Sequence, residues 1–211
     1  MDHTRILSTV LLFALSLPAT SCLAGDKKVE GQVSKATARS QYMVVHEPKK
    51  GYDLKGAAGI VVVESFSAPD RTFTVFNAVT LSDLKSYLDA NAITPIKITQ
   101  VRDINSPVRG GGPKAGDEPR QGHQVFVIER GIPGVGNFPD KKKMAISRKS
   151  NRAIAEIGNS IEWDHSYLTD EGTYCVYRAI DENTIRQHGK IAGAPIITIY
   201  GVKKTSVSEP Y

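Results

Sequence analysis

Glu129, His165, Tyr167, Cys175 and His188 fall in or beside the core elements of the second half of this 211-residue chain. A thiol, imidazoles and a carboxylate suit Ni, Cu or Zn better than Mg or Ca. Each residue also has an ordinary structural reading. Cys175 packs well as buried core, since free cysteine is among the most buried residue types. His188 can be a helix histidine of intermediate burial. His165 follows Asp164 and can be a surface strand residue, and Glu129 can pair with Arg130 or a lysine. Tyr167, Tyr174 and Tyr177 read as core or interface aromatics.

Convergence depends on one hairpin. A three-residue turn, Asp170-Glu171-Gly172 with the glycine left-handed, pairs Tyr167 with Cys175 and His165 with Tyr177. His165, Tyr167, Cys175 and Tyr177 then share a sheet face. A two-residue turn instead pairs Ser166 with Cys175 and sends His165 to the opposite face, because a one-residue slip flips every side chain. The glycine favours the first arrangement. His188 lies on the Thr184-Ile185-Ile191 side of a helix that should face the sheet.

The elements around them form a pattern. In the second half, strand Gln124–Arg130, helix Pro139–Gly158, strands Ser160–Leu168 and Thr173–Ala179, helix Asp181–Ile191 and strand Ile196–Val202 follow in order. That β-α-β-β-α-β order is ferredoxin-like. Pro139 suits a first helical turn and Gly158 a stop. Earlier come strands Gln41–Val45, Ile60–Phe66 and Arg71–Ala78, helix Ser82–Asn91 with Ser82 as cap, and strand Ile96–Val101. Asn105–Gln121 is a Gly/Pro-rich linker or long loop.

Residues 65–103 slide onto 166–204 at a constant offset of 101. Ser65/Ser166, Thr72/Thr173, Val75/Val176, Ala78/Ala179, Ile96/Ile197, Ile98/Ile199 and Val101/Val202 are identical. The expectation is an α+β protein of tandem ferredoxin-like repeats, the N-terminal one lacking its first helix. A four-stranded sheet with helices on one face needs its other face covered. Two repeats can do this within one chain as an α+β barrel, an intrachain pseudo-dimer; a homodimer is the other solution. The domain reading is a signal peptide over 1–24, a lead-in over 25–40, a degenerate repeat over 41–104, a linker over 105–121 and an intact domain over 122–208.

The leader rests on Arg5, the mostly apolar run from Ile6 to Leu17, Pro18, and small residues ending at Ala24. The run is too short for a stable membrane span, which takes about 20 apolar residues. The protein is therefore expected to be exported, periplasmic or extracellular. A lipoprotein cut before Cys22 is the second choice, because Ala19 stands where such signals usually carry Leu. Cleavage after Ala24 leaves Cys175 as the lone thiol, which excludes an internal disulfide. The net charge of +5 comes without a basic stripe interleaved with aromatics, so no nucleic-acid partner is expected. The sequence contains no GxSxG, HExxH, CxxC or EF-hand pattern.

The segments FVIERGIPGVG (126–136), AISRKSN (145–151), IEWDHSYLTDEGTYCVYRA (161–179) and DENTIRQHGKIAGAP (181–195) resemble a small nickel-binding ferredoxin-like family, still filed as a domain of unknown function. The resemblance covers Gln124 to Ser208. It implies a homodimeric ferredoxin-like fold and nickel binding rather than catalysis. It also implies that Cys175 and His188 are ligands, with Glu129 at the family's strand-one glutamate. His165 departs from the acidic residue often found there and is a candidate nitrogen donor. The first half has Thr74 opposite Cys175 and Tyr87 opposite His188. The expected role is metal binding, buffering or sensing. The alternatives are a small cofactor-independent oxidoreductase or isomerase using a barrel cavity, and a periplasmic interaction module using an open sheet.

Overall fold

A computed structural model describes residues 38–48 and 54–207. The expected leader, most of the lead-in and both cleavage sites, at Cys22 and Ala24, lie outside the described residues. The described chain is mixed α+β. Its elements are β1 (Ser40–His46), β2 (Ile60–Ser67), β3 (Thr72–Ala78), α1 (Leu81–Ala90), β4 (Pro95–Val101), β5 (Asp103–Asn105), β6 (Gln124–Arg130), α2 (Asp140–Ile157), β7 (Ile161–Leu168), β8 (Thr173–Ala179), α3 (Glu182–Ala192) and β9 (Thr198–Val207). The strands form a single nine-stranded antiparallel sheet in the order β4-β1-β3-β2-β9-β6-β8-β7-β5.

Two long stretches stitch the halves together. β9 pairs with β6 through Val202 and with β2 from Lys203 onward. It therefore runs past the expected end at Val202. The outermost strands β4 and β5 are separated only by Arg102, whose amide donates to the Leu168 carbonyl at 2.8 Å. The two edges of the sheet are thus joined by the chain itself, and the edge problem of an open sheet is reduced.

The side-chain period of two sorts the strands into layers. Met43, Val45, Phe73 and Val75 from the first half pack with Val127, Tyr167, Tyr174 and Val176 from the second. Alternate residues of the first half, including Val44, Val62 and Phe76, pack under Leu84 and Leu88 of α1. Alternate residues of the second, including Ile128, Cys175 and Tyr177, pack near α2 and α3 with Ile154 and Ile185.

The helix ends follow local chemistry. The α1 cap is Thr80, not Ser82. Thr80 and Asp83 form a reciprocal capping box, so the helix starts earlier than apolar spacing alone suggests. Asp181 caps α3 by accepting from the Thr184 amide at 2.8 Å. The Gly/Pro-rich segment does not hang free. Pro107–Gly110 forms a short 3-10 turn against α2, and Asn151 donates to the Pro107 carbonyl at 2.9 Å.

The hairpin adopts the tighter of its two possible registers. Ser166 pairs with Cys175, Tyr167 with Tyr174 and His165 with Val176. The expected shared face for His165, Tyr167, Cys175 and Tyr177 is therefore corrected: His165 and Tyr167 lie opposite Cys175 and Tyr177. Thr169 explains the register. Its amide donates to the Gly172 carbonyl, and its hydroxyl accepts from the Gly172 amide at 3.1 Å. Only Asp170 and Glu171 are left to turn the chain. Gly172 is not left-handed; a Cβ there would sit 2.0 Å from the Arg130 carbonyl oxygen. The glycine is required by that close approach, not by its φ.

Candidate functional site

Between the second half's sheet and the helices α2 and α3 lies a cavity of about 410 Å³. Arg130, Lys142, Lys149, Cys175, Tyr177 and His188 are among its lining, along with apolar Phe138, Ile146 and Trp163. Its roof is unusual for a core helix. The buried residues of α2 are Lys143, Ser147, Ser150 and Ala153, spaced to share one face, with Ile154 and Ile157 packed beside them against the core. Ser147 donates to Asn105 at 2.8 Å and Lys143 pairs with Asp103 at 2.7 Å. Asp103 also binds Arg109 at 2.7 Å. Burial would raise the Asp103 carboxyl, but these two cations hold it down at about 2.

Ser150 Oγ lies 2.8 Å from Tyr177 Oη and 2.9 Å from His188 Nε2. His188 is 1% exposed, and its Nδ1 has no hydrogen-bond partner. Burial, and then the charge of Arg130, lowers its pKa to about 4, so the ring is neutral at physiological pH. Cys175 is a free, buried thiol with its Sγ 3.0 Å from Thr173 Oγ1. Arg130 is 4% exposed. Its Nη1 donates to the carbonyls of Ala194 and Pro195 at 3.2 and 3.1 Å, whereas Nη2 is buried without a partner. No Asp or Glu lines the cavity among the described residues.

His165 belongs to another cluster. β2 and β7 each carry a bulge, between Val62 and Glu64 and between Trp163 and His165. A bulge re-aims the side chains beside it. Here it brings Glu64 Oε1 to 2.7 Å from His165 Nε2 and 2.5 Å from Tyr167 Oη. Lys204 reaches Glu64 Oε2 at 3.0 Å, and Asp164 Oδ1 lies 3.2 Å from His165 Nδ1. Burial would lower the His165 pKa, but Asp164 and Glu64 raise it to about 9. Burial would raise Glu64, but His165, Tyr167 and Lys204 bring it down to about 2. The imidazole is consumed by an ion pair between the halves.

Glu129 is elsewhere again. It alternates with Ile128 along β6 and sits near Lys97, Tyr174 and Ile197 in a smaller cleft. Burial raises its pKa, opposed by Arg71 and Lys97. Of the four metal-site candidates, the structure therefore brings Cys175 and His188 to one cavity and places Glu129 and His165 on the opposite side of the sheet. Among the described residues, no three His, Cys, Asp or Glu side chains are grouped as a metal site would need. Sequence reasoning missed Arg130, Ser150 and Glu64. Glu64 had a readable signal, a lone charge after the aliphatic run 60–63. A buried serine or arginine had none.

The cavity-lining strands and helices are also where sequence comparison speaks. Residues 126–202 match the family described as nickel responsive protein SCO4226-like. No curated protein matches the chain. Among solved structures, a mutant chlorite dismutase from Candidatus Nitrospira defluvii is similar at 13% identity and a TM-score of 0.44, over 80% of this chain and 90% of its own. A second mutant of that enzyme, in complex with cyanide, gives 12%, 0.45, 82% and 92% in the same terms. The same enzyme in complex with imidazole gives 12%, 0.42, 82% and 92%.

The nickel-responsive match poses a direct test of the donor set. Metal sites of this kind usually complete a shell of about four donors. The cavity's lining includes a thiol and a neutral imidazole whose buried Nδ1 is unpartnered, both of donor types suited to nickel. It offers no carboxylate, and three cations line it. A shell drawn wholly from this cavity does not fit nickel; a two-donor contact does.

Proposed function

We propose that the protein is a transition-metal-responsive binding protein, with nickel as the metal and Cys175 and His188 as the side chains that meet it. The observation that carries this reading is the unpartnered, buried Nδ1 of His188 in a residue that lines the same cavity as a free thiol, inside the segment that matches the nickel-responsive family. Ser150 fixes the ring through Nε2, which leaves Nδ1 for a ligand. Bound nickel would supply a Lewis-acidic centre; the chain's own task is to orient two donors and exclude bulk water. Glu129 and His165 take no part in this reading, because both face away from the cavity.

The wider reading is an exported protein built from a duplicated ferredoxin-like unit that closes as an intrachain α+β barrel. Support comes from matching bounds: β2 and β7, and β3 and β8, differ by 101 residues at both ends. The shared bulge and the mixed inner core favour the same view. No helix of the described residues is long and apolar enough to cross a membrane.

Elemental analysis after nickel loading and desalting tests the metal reading. About one nickel per chain is expected, falling several-fold in Cys175→Ser and His188→Ala. Retention near zero, or unchanged in both variants, overturns it.

A further inference from the structure

The hydroxyl groups at the floor of the cavity are paired with their neighbours, whereas the ammonium groups at its mouth have no acid beside them. We propose that the cavity binds an aromatic monocarboxylate, with the ring in the apolar interior and the carboxylate at Lys142 and Lys149.

The interior suits a ring. Phe138, Ile146, Trp163 and Leu168 are among its walls. The rings of Trp163 and Tyr177 are stacked, 10° from parallel with centroids 6.0 Å apart, so part of the wall is flat. Trp163 Nε1 donates to Ser166 Oγ at 2.9 Å, and Ser150 Oγ bridges Tyr177 Oη and His188 Nε2. A polar group pushed in among them would lose its water and find these donors already engaged. A space of about 410 Å³ lies within the range of small-molecule pockets and is large enough for an aromatic ring on a short arm. A bare inorganic anion would leave these walls unused.

Charge decides the other end. Among the described residues no Asp or Glu lines the cavity, whereas Lys142 and Lys149 do, and both are exposed. Two turns apart on α2, they share one face. Neither is paired with a carboxylate among the described residues. Lys142 Nζ lies 3.3 Å from the Phe138 ring centroid, where the charged mouth meets the apolar wall. Arg130 acts only at a distance. Its Nη1 is held by two backbone carbonyls and its Nη2 is buried, so neither nitrogen meets the ligand. Its charge nonetheless adds to a positive potential that favours an anion. A second carboxylate would have to enter the apolar interior, which limits the ligand to one.

Calorimetric titration of the full chain with 3-phenylpropanoate, in the absence of nickel, tests the proposal independently of the metal reading. Saturable binding at about one per chain is expected. Trp163 is the chain's only tryptophan, so its emission should change along the same isotherm. The amide, 3-phenylpropanamide, keeps the ring without the charge and should bind at least tenfold more weakly. Acetate keeps the charge without the ring and should not displace the probe. Lys142→Glu with Lys149→Glu, two exposed positions, should weaken the carboxylate at least tenfold and leave the amide unchanged, with circular dichroism as the folding check. No saturable binding, binding that leaves the Trp163 emission unmoved, equal affinity for acid and amide, displacement by acetate, or full affinity in the double variant overturns the proposal. None of these results bears on nickel retention.

Discussion

The unpartnered ring nitrogen of His188 is worth more to the site than its burial suggests. A neutral imidazole carries one proton, so the metal-binding tautomer with its lone pair on Nδ1 has the proton on Nε2, where Ser150 Oγ at 2.9 Å can accept it. Ser150 thus holds the ring and accommodates that tautomer. Outer hydrogen-bond partners of metal-binding histidines typically contribute about 10–100-fold in affinity. Ser150→Ala should weaken nickel binding by about that factor with little change in fold, measured by calorimetry; unchanged affinity would mean that the serine only fills space. That Cys175 and His188 lie on facing elements was legible in the sequence, because a lone thiol on a strand and a histidine on the sheet-facing side of a helix stand out. Arg130 was not. Its role depends on having no acid opposite it, and that absence exists only once the chain is folded.

Elements were legible where periodicity was strong and less so where a single turn decided the geometry. The ferredoxin-like order of the second half was readable from alternating strands and two helices, the first bounded by Pro139 and Gly158. The face of His165 was not, because it hung on a one-residue choice between two turns. Thr169 closes the tighter turn with its own hydroxyl, and Gly172 permits the Arg130 strand to pass. Gly172→Ala would force a Cβ into the Arg130 backbone, with a cost of about 3 kcal/mol, the upper range for overpacking. Chemical denaturation checks this; a loss under about 0.5 kcal/mol would show that the turn relaxes freely. At α1, Thr80→Ala should cost about 1 kcal/mol by the same measurement, since it removes the hydroxyl that accepts from the Asp83 amide while the Thr80 amide keeps its bond to the Asp83 carboxylate.

At the scale of the molecule, Glu64 and His165 connect the two halves. They stand 101 residues apart, the same offset as the proposed repeat, one position before the aligned stretch begins. The alignment was readable; that equivalent positions would touch was not, because nothing in one repeat states how it meets the other. The pH dependence has two limbs. His165 is raised to about 9, so its contribution is complete below about 6.5 and is lost as pH rises through 9. Glu64 is lowered to about 2, so its contribution is present above about 4.5 and is lost as pH falls toward 2. His165→Gln should cost about 3 kcal/mol near neutrality, the low end for a broken buried pair because Tyr167 and Lys204 still serve Glu64. It should also flatten stability between pH 6.5 and 9. An unchanged alkaline slope in urea titrations would place the pH sensitivity elsewhere. The most direct test of the central claim is X-ray absorption at the nickel edge on nickel-loaded protein. The account predicts one sulfur and one imidazole with the remaining donors oxygen, and loss of the sulfur in Cys175→Ser. A shell of oxygen alone, unaltered by that substitution, would contradict it.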